Sequence, residues 1–91
     1  MEEFYVDIDK VVPQDDFTVF VYLKDKRIFK YDAKEVVSRF KQLQDINFFK
    51  KTCCIMNHTL AWDIEQNKSR WDCIDIAPEA ILSSIRLDNM L

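Results

Sequence analysis

A chain of 91 residues has room for one hydrophobic core and no second domain, so residues 1–91 are expected to form a single domain. Its composition, 48% hydrophobic and 32% charged, excludes a disordered chain, and its apolar runs fall well short of the ~20 residues of a membrane-spanning helix. The net charge of −3 argues against direct binding to nucleic acid, which needs clustered Lys and Arg to neutralise phosphates.

The three cysteines indicate a reducing compartment. Cys53 and Cys54 are adjacent, which prevents an ordinary disulfide between them, and an odd number of cysteines leaves no regular disulfide framework. The acidic start of the chain, Met1-Glu2-Glu3, also differs from a secretory leader, which is basic and then apolar. We therefore expect a cytoplasmic protein with reduced thiols.

Three strands are predicted in the first third of the chain. Residues 4–12 form the first strand, which a proline closes, and residues 17–23 form the second, which is rich in β-branched and aromatic side chains. A two-residue loop, Asp25-Lys26, is expected to connect the second strand to a third at residues 27–31.

This two-residue loop determines which side chains share a face of the hairpin. It sets Tyr22 opposite Phe29, and side chains two positions apart then lie on the same side. One face is expected to carry Val19, Val21, Leu23 and Ile28. The other is expected to carry Phe20, Tyr22, Phe29 and Tyr31. Because both faces are apolar, both need a cover, either from the rest of the chain or from a second protein.

Helical segments are predicted after Asp32 and after Asp45, whose side chains are suited to accept the first backbone N–H groups of a helix. The segment after Asp32 is expected to bury its apolar side chains at helical spacing. These side chains are Val36, Val37 and Phe40.

A second hairpin is predicted at residues 52–56 and 59–64, and a C-terminal helix is predicted to begin at Pro78 with an apolar stripe that includes Ile81 and Ile85. Together these elements predict an α+β fold. We expect a mainly antiparallel sheet of two β-hairpins plus an N-terminal strand, with a short central helical region and the C-terminal helix.

The chain contains no glycine, whereas average usage of about 7% corresponds to about six in a chain of this length. Turns that need a positive φ must therefore recruit other residues, and Asn, Asp and Lys are the expected choices. The predicted turns are Asp25-Lys26, Asn57-His58 and Asn67-Lys68.

One set of side chains has the right chemistry for a metal or a nucleophile: Cys53, Cys54, Cys73 and His58. The spacing argues against both roles, because no Cys-x-x-Cys pair is present and adjacent cysteines on a strand point to opposite faces. Asp72, Asp75 and Glu79 are better explained as solvated or capping carboxylates. We therefore predict no catalytic residue, metal or cofactor, and a metal-binding or enzymatic domain that uses the Cys/His set is the alternative.

Exposed aromatic side chains are the expected anchors of a protein interface. The candidates are Phe20, Tyr22, Phe29, Tyr31 and Trp71. Trp62 ends an apolar strand instead and is expected to lie in the core.

An ordered set of short motifs runs from Val12 to Leu82. Val12-Pro13 closes a strand, Asp25-Lys26 occupies a hairpin turn, and Tyr31-Asp32 begins a helix. A segment of the form Leu-x-Asp-x-x-x-Phe follows at residues 43–49, then a strand that contains Trp62, and the segment 73–79 closes the set.

In this order the motifs resemble a bacterial family catalogued as domain of unknown function 2442, over roughly four-fifths of the chain. Two positions depart from the family pattern. Lys26 stands where the turn glycine is usual, and Ala77 stands where a Ser or Asp cap is usual, a loss of about 1 kcal/mol of helix-end stabilisation.

The resemblance implies a stand-alone bacterial protein with no established activity. It also implies a partner, because related domains are often encoded beside a second small domain of unknown function, number 4160, in an arrangement that suggests toxin–antitoxin pairs with this family as the antitoxin. Some relatives continue into a helix-turn-helix, which does not fit after Ile85 here. We therefore expect a protein-binding module of antitoxin or regulatory type that binds a small, neighbour-encoded protein, with self-association into a homodimer left open and no membrane or nucleic-acid partner.

Overall fold

In the computed structural model, which describes residues 7–69 and 71–88, the chain forms two antiparallel sheets. The first sheet contains, in spatial order, β1 (Ile8–Pro13), β2 (Thr18–Leu23), β3 (Ile28–Asp32) and β7 (Ile85–Arg86). The second contains β4 (Cys53–Met56), β5 (Thr59–Trp62) and β6 (Ile74–Asp75). The helices are α1 (Lys34–Arg39), α2 (Ile46–Thr52) and α3 (Pro78–Leu82), with a 3-10 turn at Lys41–Gln44 between α1 and α2. The predicted α+β class is confirmed.

The predicted register of the first hairpin is wrong by one residue. Tyr22 pairs with Ile28 and Val21 pairs with Phe29. The loop is therefore three residues long, and the N–H of Lys26 donates to the carbonyl oxygen of Leu23 at 3.1 Å. In consequence the side chains of β3 lie on the opposite faces from those predicted.

The longer loop has a physical reason in the residues that form it. A two-residue turn of the common type needs positive φ at both central positions, which is unfavourable without glycine or asparagine. Here only Lys26 has a positive φ, at 81°. Asp25 keeps its side chain on the loop, where Oδ1 accepts from the backbone N–H of Arg27 at 3.1 Å and Oδ2 accepts from its Nε at 2.8 Å.

The ends of β1 and α1 differ in detail from the predictions. β1 runs from Ile8 through Pro13, so the proline is its last residue, and the predicted start at residues 4–6 lies outside the described residues. The N-cap residue of α1 is Ala33 and has no side-chain cap, so the predicted cap at Asp32 is wrong by one residue, although Asp32 Oδ1 accepts from the N–H of Lys34 at 3.0 Å. Phe40 lies beyond the end of α1 in extended backbone, although it still packs against the core.

The cap of α2 and the turn of the second hairpin form as predicted. Asp45 Oδ1 accepts from the N–H of Asn47 at 3.0 Å, at the start of α2. Asn57 and His58 form a two-residue turn between Met56 and Thr59, with φ of 53° and 63°. Positive φ at both positions is the geometry that favours a right-twisted hairpin.

The C-terminal helix starts at Pro78 but is shorter than predicted. It ends at Leu82, and Ile85 lies in β7 and is 58% exposed, so its place in an apolar helical stripe was wrong. The hydroxyl of Ser83 donates to the carbonyl oxygen of Glu79 at 2.8 Å. Serine hydroxyls that bind the carbonyls of the preceding turn compete with helix continuation. Ala77 precedes the helix without a side-chain cap.

The core lies between the inner face of the first sheet, the helices and the second sheet. Trp62 and Phe49 are fully buried with ring centroids 5.5 Å apart, and Phe17 meets Phe49 edge-on at 5.1 Å. The prediction that Trp62 belongs to the core is therefore confirmed. Among the helices of residues 7–69 and 71–88, none has the length and apolarity that crossing a membrane requires.

Six described residues other than glycine have a positive φ: Phe17, Lys26, Asn57, His58, Gln66 and Lys68. Four of the six lie in turns that the sequence predicted. Phe17, at 64°, was expected in a strand, and left-handed backbone is unusual for a bulky side chain. Its ring packs on Phe49, and its carbonyl oxygen accepts from the N–H of Ala33 at 3.0 Å, so tertiary contacts hold this conformation.

Candidate interaction surface on the first sheet

Cross-strand pairing places two rows of side chains on the face of the first sheet that points away from the core. Residues directly opposite each other on neighbouring strands share a face. One row consists of Val12, Phe20, Lys30 and Ile85. The other consists of Lys10, Tyr22 and Ile28. We call these seven residues the outer face.

The two sides of this sheet differ sharply in burial. On the inner side Val19 and Val21 are fully buried and Phe29 is 3% exposed. On the outer face Val12 is 36% and Ile85 58% exposed, and the aromatic and aliphatic side chains between them are partly exposed. None of the seven belongs to the core cluster or packs against it. The outer face is therefore an apolar strip in contact with solvent.

The structure brings together only two of the five predicted interface residues. Phe20 and Tyr22 lie on the outer face, as predicted. Phe29 and Tyr31 do not, because the corrected register turns both toward the core. Burial raises the pKa of the Tyr31 hydroxyl, and the nearby charge of Glu35 raises this pKa further. Trp71 is 83% exposed and lies in the segment that precedes β6, a strand of the second sheet.

The sequence prediction missed five members of the outer face. Ile28 was assigned to the opposite face by the register error, and Ile85 was assigned to a helix. The predicted interface does not include Lys10, Val12 or Lys30. For Lys10 and Val12 the signal was present, because residues two apart in β1 share a face.

Positive charge borders the apolar strip at its hairpin end. The Nζ of Lys10 lies 4.7 Å from the ring centroid of Tyr22, within cation–π range. Beside this contact is an open groove of about 370 Å³, lined by these two side chains, Ile28, the basic side chains of the loop and Asp9. The basic side chains are Lys24, Lys26 and Arg27.

Nearby carboxylates neutralise only some of these cations. Arg27 pairs with Asp25 at 2.8 Å, and Lys24 lies 3.7 Å from Asp7. Within residues 7–69 and 71–88, no carboxylate lies within ion-pair distance of Lys10 or Lys30 on the outer face, or of Lys26 in the loop.

The Cys/His set predicted as an alternative site does not converge. Cys53 packs against the core, and Cys54 lines a separate groove of about 400 Å³ on the other side of β4. Burial raises the pKa of the Cys53 thiol to about 12, with a smaller contribution from Cys54. Burial also raises the pKa of Cys54, to which the charge of Asp63 adds. Both thiols are therefore protonated at neutral pH, whereas a nucleophilic cysteine needs a lowered pKa.

Cys73 lies close enough to Cys54 for its charge to contribute to the raised pKa of Cys54, whereas Cys53 packs against the core. The pKa of Cys73 is raised, first by burial and then by the charge of Asp75. Asn57 lies between Cys73 and Asp75, since its Nδ2 donates to Asp75 Oδ2 at 2.9 Å and lies 3.7 Å from Cys73 Sγ. In the part of the chain that the structure describes, no three His, Cys, Asp or Glu side chains are grouped as metal ligands.

Comparisons of this chain with protein-family models, with curated proteins and with solved structures gave no match. The family resemblance drawn from the ordered motifs therefore stays a prediction.

Proposed function

We propose that this chain is a protein-binding module and that its partner covers the outer face. The observation that carries the proposal is the apolar strip on the back of a sheet whose other side is the core. Contiguous apolar surface of this kind, bordered by polar groups, is typical of interaction sites. Tyr22 and Phe20 are the central aromatic side chains, the class that most often anchors an interface.

The partner we propose is a small protein encoded beside this chain, in an antitoxin-like or regulatory relationship. The support for this part is the resemblance to domain of unknown function 2442, whose members often neighbour domain 4160. The proposed compartment is the cytoplasm, which agrees with three cysteines that form no disulfide with one another. No catalytic role is proposed, because the protonated thiols and the dispersed Cys/His set offer no reactive group.

The test is co-expression with the neighbouring small protein and measurement of the dissociation constant. Ile85→Ser is the informative variant, since Ile85 is an exposed strand residue of the outer face. Ile55→Ser is the matched control, since Ile55 is 40% exposed in a strand of the second sheet. We expect Ile85→Ser to weaken the complex about tenfold, equivalent to about 1.4 kcal/mol, and Ile55→Ser to leave it unchanged. Equal effects of the two variants, or no complex at micromolar concentrations, would contradict the proposal.

A further inference from the structure

We infer that the partner segment on the outer face is an acidic amphipathic helix, whose carboxylates lie against Lys10, Lys26 and Lys30 and whose apolar side chains cover Phe20 and Ile28. This inference rests on the proposed function and specifies the chemistry of the partner. It comes from the charges around the strip and from the dimensions of the two rows.

Two of these lysines are members of the rows themselves. Lys30 stands between Phe20 and Ile85, and Lys10 stands beside Tyr22. A partner that buries the rows also removes water from both ammonium groups. Desolvating a charge is unfavourable unless an opposite charge replaces the water. Among the described residues, no carboxylate lies within ion-pair distance of either lysine, so we expect a partner that buries them to supply the opposite charge.

The groove at the hairpin end also needs negative charge from a bound partner. Lys26 and Lys10 line it, while the carboxylate of Asp25 is already bound to Arg27 through both of its oxygens. Asp9 also lines the groove and offsets part of the positive charge. Near Lys30, the carboxylate of Asp16 accepts hydrogen bonds from the hydroxyl and the N–H of Thr18, which chiefly lower its pKa. The charge of Lys30 lowers this pKa further, so Asp16 offsets part of the charge of Lys30.

The same charges disfavour two other occupants of the outer face, a second copy of this chain and a nucleic acid. The two rows contain two lysines and no carboxylate, and Asp32, which follows on the same side of β3 opposite Thr18, already lies 3.8 Å from the Nζ of Lys34, so a face-to-face dimer that buries the two rows would bring like charges together. A nucleic acid offers phosphates but little to cover the apolar row, and the net charge of −3 opposes its approach. A protein segment with both carboxylates and apolar side chains satisfies both features.

The dimensions of the strip fit a short helix. The longer row crosses four strands, and at about 4.8 Å per strand spacing it spans about 14 Å. At a rise of 1.5 Å per residue this is the length of about ten helical residues. A helix of three turns presents apolar side chains along one stripe and carboxylates beside it. Such a helix covers the row and places its carboxylates next to the lysines.

The experiment uses the full chain, labelled with ¹⁵N, and two synthetic helical peptides with identical leucine stripes. One peptide carries Glu beside the stripe and the other carries Lys. We expect the Glu peptide to bind about tenfold more tightly at low salt and to shift the amides of β2 and β3. In the double variant Lys10→Glu, Lys30→Glu the preference should reverse. The control double variant Lys41→Glu, Lys51→Glu, exposed lysines away from the first sheet, should keep the original preference.

The inference is overturned if the two peptides bind equally, if neither binds at millimolar concentration, or if the shifts fall on the second sheet. It is also overturned if sedimentation shows a dimer that Ile85→Ser dissolves, because the occupant is then a second copy, or if a DNA or RNA oligomer binds in place of the peptides. Failure here is distinguishable from failure of the proposed function. One such result is a neighbouring protein that binds more weakly to Ile85→Ser but equally well to the double variant Lys10→Glu, Lys30→Glu. That result would support the outer face as the interface and contradict an acidic helix as its occupant.

Discussion

The backbone N–H of Ile28 donates to Oδ1 of Asp88 at 3.2 Å, across 60 positions of the chain. The same carboxylate accepts from Nε and Nη2 of Arg86 at 2.9 and 3.0 Å. Asp88 thus connects the end of β7 to the start of β3. At the same place the N–H of Leu87 donates to the carbonyl oxygen of Ile28 at 2.7 Å. The position of Ile85 on the outer face depends on this attachment.

The Asp88 contacts give the attachment of β7 a dependence on pH. Hydrogen bonds from Arg86, and then from the N–H of Ile28, hold the pKa of Asp88 at about 2, below its usual 3.8. Because the folded pKa is the lower one, these contacts stabilise the fold above pH 3.8 and are lost as the pH falls toward 2. Urea unfolding of the wild type and of Asp88→Asn should therefore converge over this range. A gap that stays constant down to pH 2 would contradict the prediction.

Substitutions on the two sides of the first hairpin should differ in their effect on stability. Phe29 is 3% exposed, so Phe29→Ser should lower the free energy of unfolding by about 3–5 kcal/mol, enough to unfold much of the population. Tyr22 lies on the outer face, and Tyr22→Ser should lower it by less than about 1.5 kcal/mol while weakening partner binding. Chemical unfolding followed by circular dichroism measures both. Similar losses for the two variants would mean that the register is not the one described.

Trp62 combines complete burial with an indole N–H that has no acceptor among the described residues. An unsatisfied buried donor is unfavourable by about 1–3 kcal/mol, and Trp62→Phe removes it. That gain should offset the loss of ring volume, so we expect stability within about 1 kcal/mol of the wild type. Trp62→Leu, which also loses the ring contact with Phe49, serves as the comparison and should be clearly less stable. A loss of about 3 kcal/mol or more in Trp62→Phe would contradict the prediction.

The left-handed backbone at Lys26 offers a stabilising substitution. With φ at 81°, this position suits glycine, and Lys26→Gly should raise the free energy of unfolding by about 0.5–1 kcal/mol. Asp25→Gly, one position earlier, should have the opposite effect, because Asp25 has no positive φ and its carboxylate binds Arg27. Thermal unfolding of the two variants checks the contrast. Stabilisation by both, or by neither, would contradict it.

The elements that follow from local chemistry could be predicted from the sequence. The cap at Asp45 needs only a short acceptor side chain before a helical segment, and the turn at Asn57-His58 needs two residues that tolerate positive φ. The class of the fold followed from the order of such segments. The core position of Trp62 followed from its place at the end of an apolar strand.

The outer face could be predicted only in part, because its rows depend on long-range pairing. Phe20 and Tyr22 alternate with buried valines within one strand, which the sequence shows directly. Phe29 was misplaced because one residue more or less in a loop turns a whole strand over. Ile85 was misplaced because helical spacing continues past Leu82, whereas the hydroxyls of the two serines that follow bind carbonyl oxygens of the helix and compete with its continuation.

The two sides of β2 and β3 link occupancy of the outer face to the folding equilibrium. The strands that carry Phe20 and Tyr22 on one side carry Val21 and Phe29 of the core on the other, so a bound partner requires the folded chain. A partner present at a hundred times its dissociation constant adds about 2.7 kcal/mol to the stability of the fold, a large share of the total for a small domain. Cellular proteases act on unfolded chains. If the proposed partner binds the outer face, the steady-state abundance of this protein should therefore follow the supply of that partner, with unbound copies degraded first.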